Sequence, residues 1–418
     1  MPYTITEKIL ARASGRAAVR AGDEVKAKPD FVVAYDFPGY TDVIFKQMKD
    51  EFAIEKVREP ERFVLFIDHM VPAVTPQEED LHQNTRDWGA ANHVPVHERK
   101  GIGHQVAAEL GYATPGAFAV HFDGHISQLG TFGTLAIGVR RHLLEAYVKD
   151  NILIKVPATT RVDLTGRLRP GVMARDVFHH IVRVLGPASC RFQVLEIGGP
   201  ALADFSIDAR QTITCLAMFT GAITAIINPD EVTLPYALER ARLPLEPVVS
   251  DPDAVYAARH TIDISDLEPV VVVPPSPANT RDLAEVLGTE VQVGYLGSCA
   301  SGRIEDLRSA AQVLRGRSIR PGFQLHVVPT SQEIMRQASA EGLLTDLIAA
   351  GAFVTSPSCD YCFGRLGVMT AGQRAVSTGT LNVRGRMGSP DSEIFIVNAA
   401  AVAAAALEGR IADPRKYL

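Results

Sequence analysis

Cysteine is scarce and odd in number, five residues in a chain of 418. That excludes a disulfide framework and favours a reducing compartment in which thiols serve metals or chemistry. No apolar run approaches the roughly 20 residues that a membrane span requires, the longest being the short alanine-rich stretch Ile396 to Leu407. No membrane association is expected. The first residues, MPYTITEKILARASG, lack the apolar centre of a secretory signal and bring acidic Glu7 early, so a cytoplasmic location is expected. Basic charge is also in deficit: the formal net charge is -6, which argues against a general nucleic-acid surface. A small acidic ligand would need a basic pocket of its own.

What remains is a globular composition, 46% hydrophobic and 22% charged, in a chain too long for one ordinary core. The second half alternates strand and helix patterns: strand Glu290 to Tyr295, helix Arg303 to Leu314, strand Phe323 to Val328. A helix capped by Ser331 follows and is expected to run to about Ala350, then the strand Ala352 to Thr355. This order predicts a parallel α/β domain. VVVPPSPANT (Val271 to Thr280) is read as a stiff linker. A softer boundary near Lys149 to Asn151 gives three α/β domains, 1–150, 151–280 and 281–418. The glycine-rich segment Gly124 to Gly138 lacks both a P-loop lysine pattern and a dinucleotide-binding context.

Cys359 and Cys362 form a C-x2-C directly after a short strand, in a loop bracketed by Pro357 and Gly364. Cys299 lies on a small-residue turn between a strand and a helix. Backbone N–H groups at such a turn stabilise thiolates. Spacing alone leaves a zinc half-site, a redox pair, an iron–sulfur cluster and coincidence all open. Cys190 and Cys215 sit in apolar segments, where a buried structural thiol is the simplest reading.

The segments TITEKILAR, FIDHMVP, GIGHQV, PGAFAVHFDGHISQLGTFGTLAIGV, GSCASGRIEDLRSAA, SCDYCFG and VRGRMGS resemble, in that order and essentially end to end, the large subunit of the aconitase and isopropylmalate dehydratase family. The resemblance implies an aconitase-like α/β/α architecture of three domains around an iron–sulfur cluster. It implies a 4Fe-4S cluster on Cys299, Cys359 and Cys362, with one iron left open as a Lewis acid. The family's mobile fourth domain is missing before Leu418, so a small subunit carrying it, and its serine base, is the expected partner, with a small hydroxy acid as substrate. Asp68 with His69, His104, and Asp123 with His125 match the family's Asp–His groups around the departing hydroxyl. For any one of these histidines alone, a satisfied buried hydrogen bond is the plainer reading. Arg386 matches an arginine that grips a substrate carboxylate.

Departures from the family are concentrated in the same places. Gly124 stands for a serine, Cys215 and Phe219 for an asparagine and a glutamate, and Thr380 and Leu381 for an asparagine–arginine pair. Ala300, Ser301 and Gly302 replace Thr-Asn-Ser. Cys215, Phe219 and Thr380 are therefore expected beside the substrate, in a pocket with fewer buried polar groups and a more apolar ligand. Two other readings stay open: a catalytically silent cluster-binding sensor, and a lyase of the same fold with another leaving group or a single metal ion.

Overall fold

The computed structural model describes residues 2–37 and 39–418. Three sheets, each mostly or wholly parallel, organise these residues. The first has the order Val96–Glu98, Phe63–Ile67, Phe31–Tyr35, Phe118–His121 and Leu135–Gly138, all parallel. Its central strands FVLFI and FAVH are buried throughout, as expected where helices cover both faces of a parallel sheet. The second has four parallel strands, Thr224–Ile227, Val194–Gly198, Thr159–Thr165 and Ala258–Asp263. The third has seven, in the order Thr280–Asp282, Val270–Val272, Glu393–Ile396, Arg374–Ser377, Val293–Leu296, Gln324–Val327 and Phe353–Val354. Only the first two of these pair antiparallel to their neighbours.

The valines before the prolines therefore belong to a strand, which their β-branched side chains favour, and the prolines turn the chain toward Thr280–Asp282. A small antiparallel pair, Glu24–Ala27 with Ile152–Lys155, ties the start of the chain to the segment entering the second sheet. The helix expected from Ser331 to Ala350 is two helices, Gln332–Ala340 and Leu343–Ala349. Gly342, at φ +75°, breaks it, because the left-handed region suits glycine and ends a helix. The alanine-rich stretch forms the helix Ala399–Glu408, whose residues Ala399 to Ala406 are all buried; small side chains let it approach the helix Ile304–Leu314 closely. Among the described residues no helix is long and apolar enough to cross a membrane.

Buried charge stabilises some of these joints and weakens others. Arg210, fully buried, places Nη1 2.8 and 2.7 Å from the two oxygens of Asp230 and donates to the carbonyls of Phe205 and Leu202. Arg210→Met should lower stability by about 3 kcal/mol in chemical denaturation, since it leaves these acceptors unpaired.

Glu109 works the other way. Burial pushes its carboxyl up from 4.5 to about 7, although Ser331 Oγ and Gln105 Nε2 donate to it. Between those two values the folded chain holds the proton that the unfolded chain has lost, so stability falls as pH rises from about 4.5 to 7 and then levels. Glu109→Gln should flatten that slope and raise the unfolding midpoint above pH 7; an unchanged slope in thermal unfolding across this range would refute the assignment.

Candidate active site

Apolar strands of the first sheet end in acids and imidazoles. Phe31–Tyr35 runs into Asp36, Phe63–Ile67 into Asp68 and His69, and Phe118–His121 into Asp123 and His125. In the third sheet Val293–Leu296 runs into Ser298 and Cys299, Phe353–Val354 into Cys359, and Arg374–Ser377 into Thr378 and Thr380. All lie beyond carboxyl ends of strands, where loops from separate sheets are free to converge. They do converge. The Cys359 backbone N–H donates to the Asp68 carbonyl at 3.0 Å, and the Met70 and Val71 N–H groups donate to the Asp360 carboxylate at 2.7 and 2.9 Å.

The two Asp–His pairs are held differently from the lone imidazoles. Asp68 is buried and places one oxygen 2.6 Å from His69 Nδ1 while the other accepts from the Gly103 N–H at 2.6 Å. Burial works against a charged His69, but the charge and hydrogen bond of Asp68 outweigh it, raising His69 to about 9. His125 Nδ1 lies 3.1 Å from Asp123 Oδ1. Burial again opposes the charge, and the thiolates of Cys299 and Cys362 together with Asp123 raise it to about 10. His104 has no such carboxylate partner, and burial lowers it to about 4. These three residues thus offer two imidazolium donors and one neutral imidazole, and His121 adds a second neutral ring.

Several residues of this site carry no signal in a linear reading. His121, lowered by burial to about 3, accepts from the Asp123 N–H at 2.7 Å and lies 4.9 Å, centroid to centroid, from His104. Its place inside a strand pattern makes it look like core. Asp36 accepts from the backbone N–H groups of Asp68 and His69 and lies 2.9 Å from His82 Nε2. The repeated pattern of an apolar strand followed by aspartate could have found it. Asp36, Asp68 and His69 are grouped closely enough for one ion, although both Asp68 oxygens are already engaged, by His69 Nδ1 and by the Gly103 N–H. An aromatic wall closes this side: Tyr40 stacks on Phe122 at 3.7 Å, and Phe37 packs against Tyr40, His69 and Phe363.

Cys299, Cys359 and Cys362 face one another across the loops. Arg386 Nη2 donates to Cys362 Sγ at 3.2 Å, and Thr380 Oγ1 lies 3.8 Å from the same sulfur. The hydrogen bond from Cys359 and then the Arg386 charge hold the Cys362 thiol well below its ordinary range despite burial. Cys215, wholly buried, lies against Cys299, whose thiol is pushed up first by that contact and then by burial. Phe219 packs in the same core, with Leu381 at its edge. Thr380 and Cys215 therefore touch cysteine sulfur directly. At Gly124 an added Cβ would meet only Met218, 3.5 Å away, so the missing serine leaves space.

The donor set suits a group larger than one ion. Among the described residues the three sulfurs do not gather as tightly as a single metal needs. Buried polar atoms without partners surround them: His125 Nε2, Arg386 Nε and the Tyr295 hydroxyl. The charges of all three cysteines act on Tyr295 and Arg386. Soft thiolates with open donors around them fit an iron–sulfur cluster.

The aconitase family (aconitate hydratase) matches this chain over residues 7–289 and 283–409. The chain is 37% identical over 424 residues to the 3-isopropylmalate dehydratase large subunit 1 of Methanopyrus kandleri, with 100% of both chains covered. It is 36% identical over 421 residues to the probable 3-isopropylmalate dehydratase large subunit of Methanothermobacter thermautotrophicus, with 99% of each covered. Among solved structures, aconitase X from Thermococcus kodakaraensis (holo form) aligns with a TM-score of 0.47 and 10% identity, over 85% of this chain and 84% of that one.

Proposed function

Since the chain belongs to the aconitase family, we propose that it is the large subunit of an iron–sulfur hydro-lyase that removes or moves water on a hydroxy acid and works with a small subunit. The observation that supports this most is the meeting of two Asp–His pairs and three thiols at one junction of sheets. Cys299, Cys359 and Cys362 would hold a 4Fe-4S cluster, which would supply a Lewis acid for a hydroxyl and a carboxylate.

The other roles fall to side chains. Asp68 keeps His69 protonated at neutral pH, and Cys299 followed by Asp123 does so for His125, so each imidazole holds a proton ready for a departing hydroxide. Neutral His104, with Nε2 free, orients the leaving oxygen. Arg386, with Nε free, grips a carboxylate. The aromatic wall of Phe37, Tyr40, Phe122 and Phe363 excludes water and favours an apolar substituent. The base for the carbon-bound proton comes from the small subunit.

Phe219 and Leu381, where the family has polar groups, support a second reading, a cluster-binding sensor without turnover. The assembled pair decides between them. The chain alone should be inactive and gain hydro-lyase activity with its small subunit; full turnover by the chain alone would refute the split site. Citrate and isopropylmalate should react more slowly than smaller mono- and dicarboxylic hydroxy acids. Arg386→Lys should lower kcat/KM for the best substrate by roughly 10- to 100-fold, because a point charge cannot reproduce the guanidinium fork. Ligand-induced change in the cluster spectrum without any turnover would favour the sensor.

A further inference from the structure

Two arginines lie inside the protein behind the Cys299 turn, and neither donates to a carboxylate. Arg303, fully buried, donates through Nε to Gln105 Oε1 at 3.0 Å and through Nη1 to Thr212 Oγ1 at 3.2 Å. Its Nη2 reaches Gln128 Oε1 at 3.0 Å and the Cys299 carbonyl at 2.6 Å. Arg175, also buried, donates only to carbonyls: Gly379 at 3.0 Å, Ala300 at 3.2 Å and Thr378 at 2.5 Å. The two guanidinium groups thus take consecutive carbonyls of the cysteine turn, and Thr212 Oγ1 bridges them by donating to Ala300 as well.

A guanidinium does not give up its proton, so both charges persist inside the fold. Among the described residues no nearby carboxylate is hydrogen-bonded to either guanidinium. Burial pushes Asp306 up to about 6 and Glu109 to about 7, and raises Asp208 and Glu305. Asp176, raised to about 6 by burial, accepts from Asn398 and from the Met173 and Val270 N–H groups instead. Arg210 shows the other solution, a buried guanidinium paired with Asp230. A buried cation without a hydrogen-bonded anion is costly unless another negative group stands close. The charges that act on Arg175 are those of Asp306 first, then Cys215, Asp176 and Cys299, so thiolate at the turn adds to a carboxylate already near it.

We propose that Arg175 and Arg303 are positioning residues of the cluster site: they hold the Cys299 turn by its carbonyls and supply the positive charge that balances a thiolate-bound cluster. The inference rests on the reading of Cys299 as a cluster ligand. Removing either charge makes the cluster harder to reduce and easier to lose, because an added electron is no longer offset.

The test uses the full chain, reconstituted without oxygen, as wild type, Arg175→Gln, Arg303→Gln, Arg303→Lys and Arg210→Met. The readouts are the midpoint potential of the cluster by EPR-monitored titration, the rate of iron loss to a chelator, and the unfolding midpoint. Both glutamine variants should shift the potential negative and lose iron about 10-fold faster or more. Arg303→Lys, which keeps the charge, should stay near the wild-type potential, and Arg210→Met should lose stability with the potential unmoved. A glutamine variant that folds like wild type but assembles no cluster also supports the proposal. Unmoved potentials in the glutamine variants, an equal shift in Arg210→Met, or a shift in Arg303→Lys as large as in Arg303→Gln would overturn it. If one glutamine variant does not fold, the potential of the other decides. Wild-type protein that takes up no iron and sulfide would instead overturn the cluster reading itself, and this proposal with it.

Discussion

Replacing Cys359 by serine should abolish the broad visible absorption of protein prepared without oxygen, together with its iron and sulfide. The Cys359 N–H is held by the Asp68 carbonyl at 3.0 Å, so serine would occupy the same place and only the donor atom changes. A hydroxyl is a far poorer partner for iron than a thiolate. Circular dichroism and the unfolding midpoint should stay near wild type, which separates loss of the ligand from loss of the fold. Wild-type protein carrying stoichiometric zinc and no sulfide would reject this expectation, since thiolates bind zinc readily without any cluster.

Asp68→Asn should lower turnover of the assembled pair by about 100- to 10,000-fold, the usual range for removing general acid catalysis. Both oxygens of Asp68 are committed, one to His69 Nδ1 and one to the Gly103 N–H. An amide offers one good acceptor to these two donors, and it removes the negative charge that keeps His69 protonated. Iron content should be unchanged, because the Asp68 carbonyl that holds Cys359 belongs to the backbone. Turnover within a few-fold of wild type would show that the pair does not handle the proton of the reaction.

The parts of the site that a linear reading finds are those announced by local contrast. Cys299 and Cys359 each follow an apolar strand pattern, and the end of a strand in a parallel sheet is where chemistry collects, whereas Asp68 and Asp123 stand out only through the family resemblance. The alternation in the last third of the chain is legible for the same reason, with boundaries shifted by a few residues and one helix divided at Gly342. What escapes is whatever acts through distant partners. Arg175 lies in the amphipathic helix Ala174–Leu185, where an arginine reads as a solvated face, yet its three acceptors are 125 to 204 residues away. Tyr295, in the strand Val293–Leu296, reads as core filler until its hydroxyl is found without a partner. Cys215 reads as a buried thiol and, like Phe219, as a departure from the family pattern; the packing adds that Cys215 lies against Cys299, with Phe219 in the same core.

The docking of the 359–362 loop onto the 68–71 loop also orders events in time. All three thiols of the site stand in the last third of the chain, whereas Asp68, which holds Cys359, and Gln105, Gln128 and Thr212, which hold Arg303 behind Cys299, are made long before. During synthesis the first two sheets form a waiting cradle. A donor of iron and sulfide that arrives before residue 362 has left the ribosome meets at most two of the three proposed ligands. Assembly of the proposed cluster therefore requires that the 68–71 and 359–362 loops have already met.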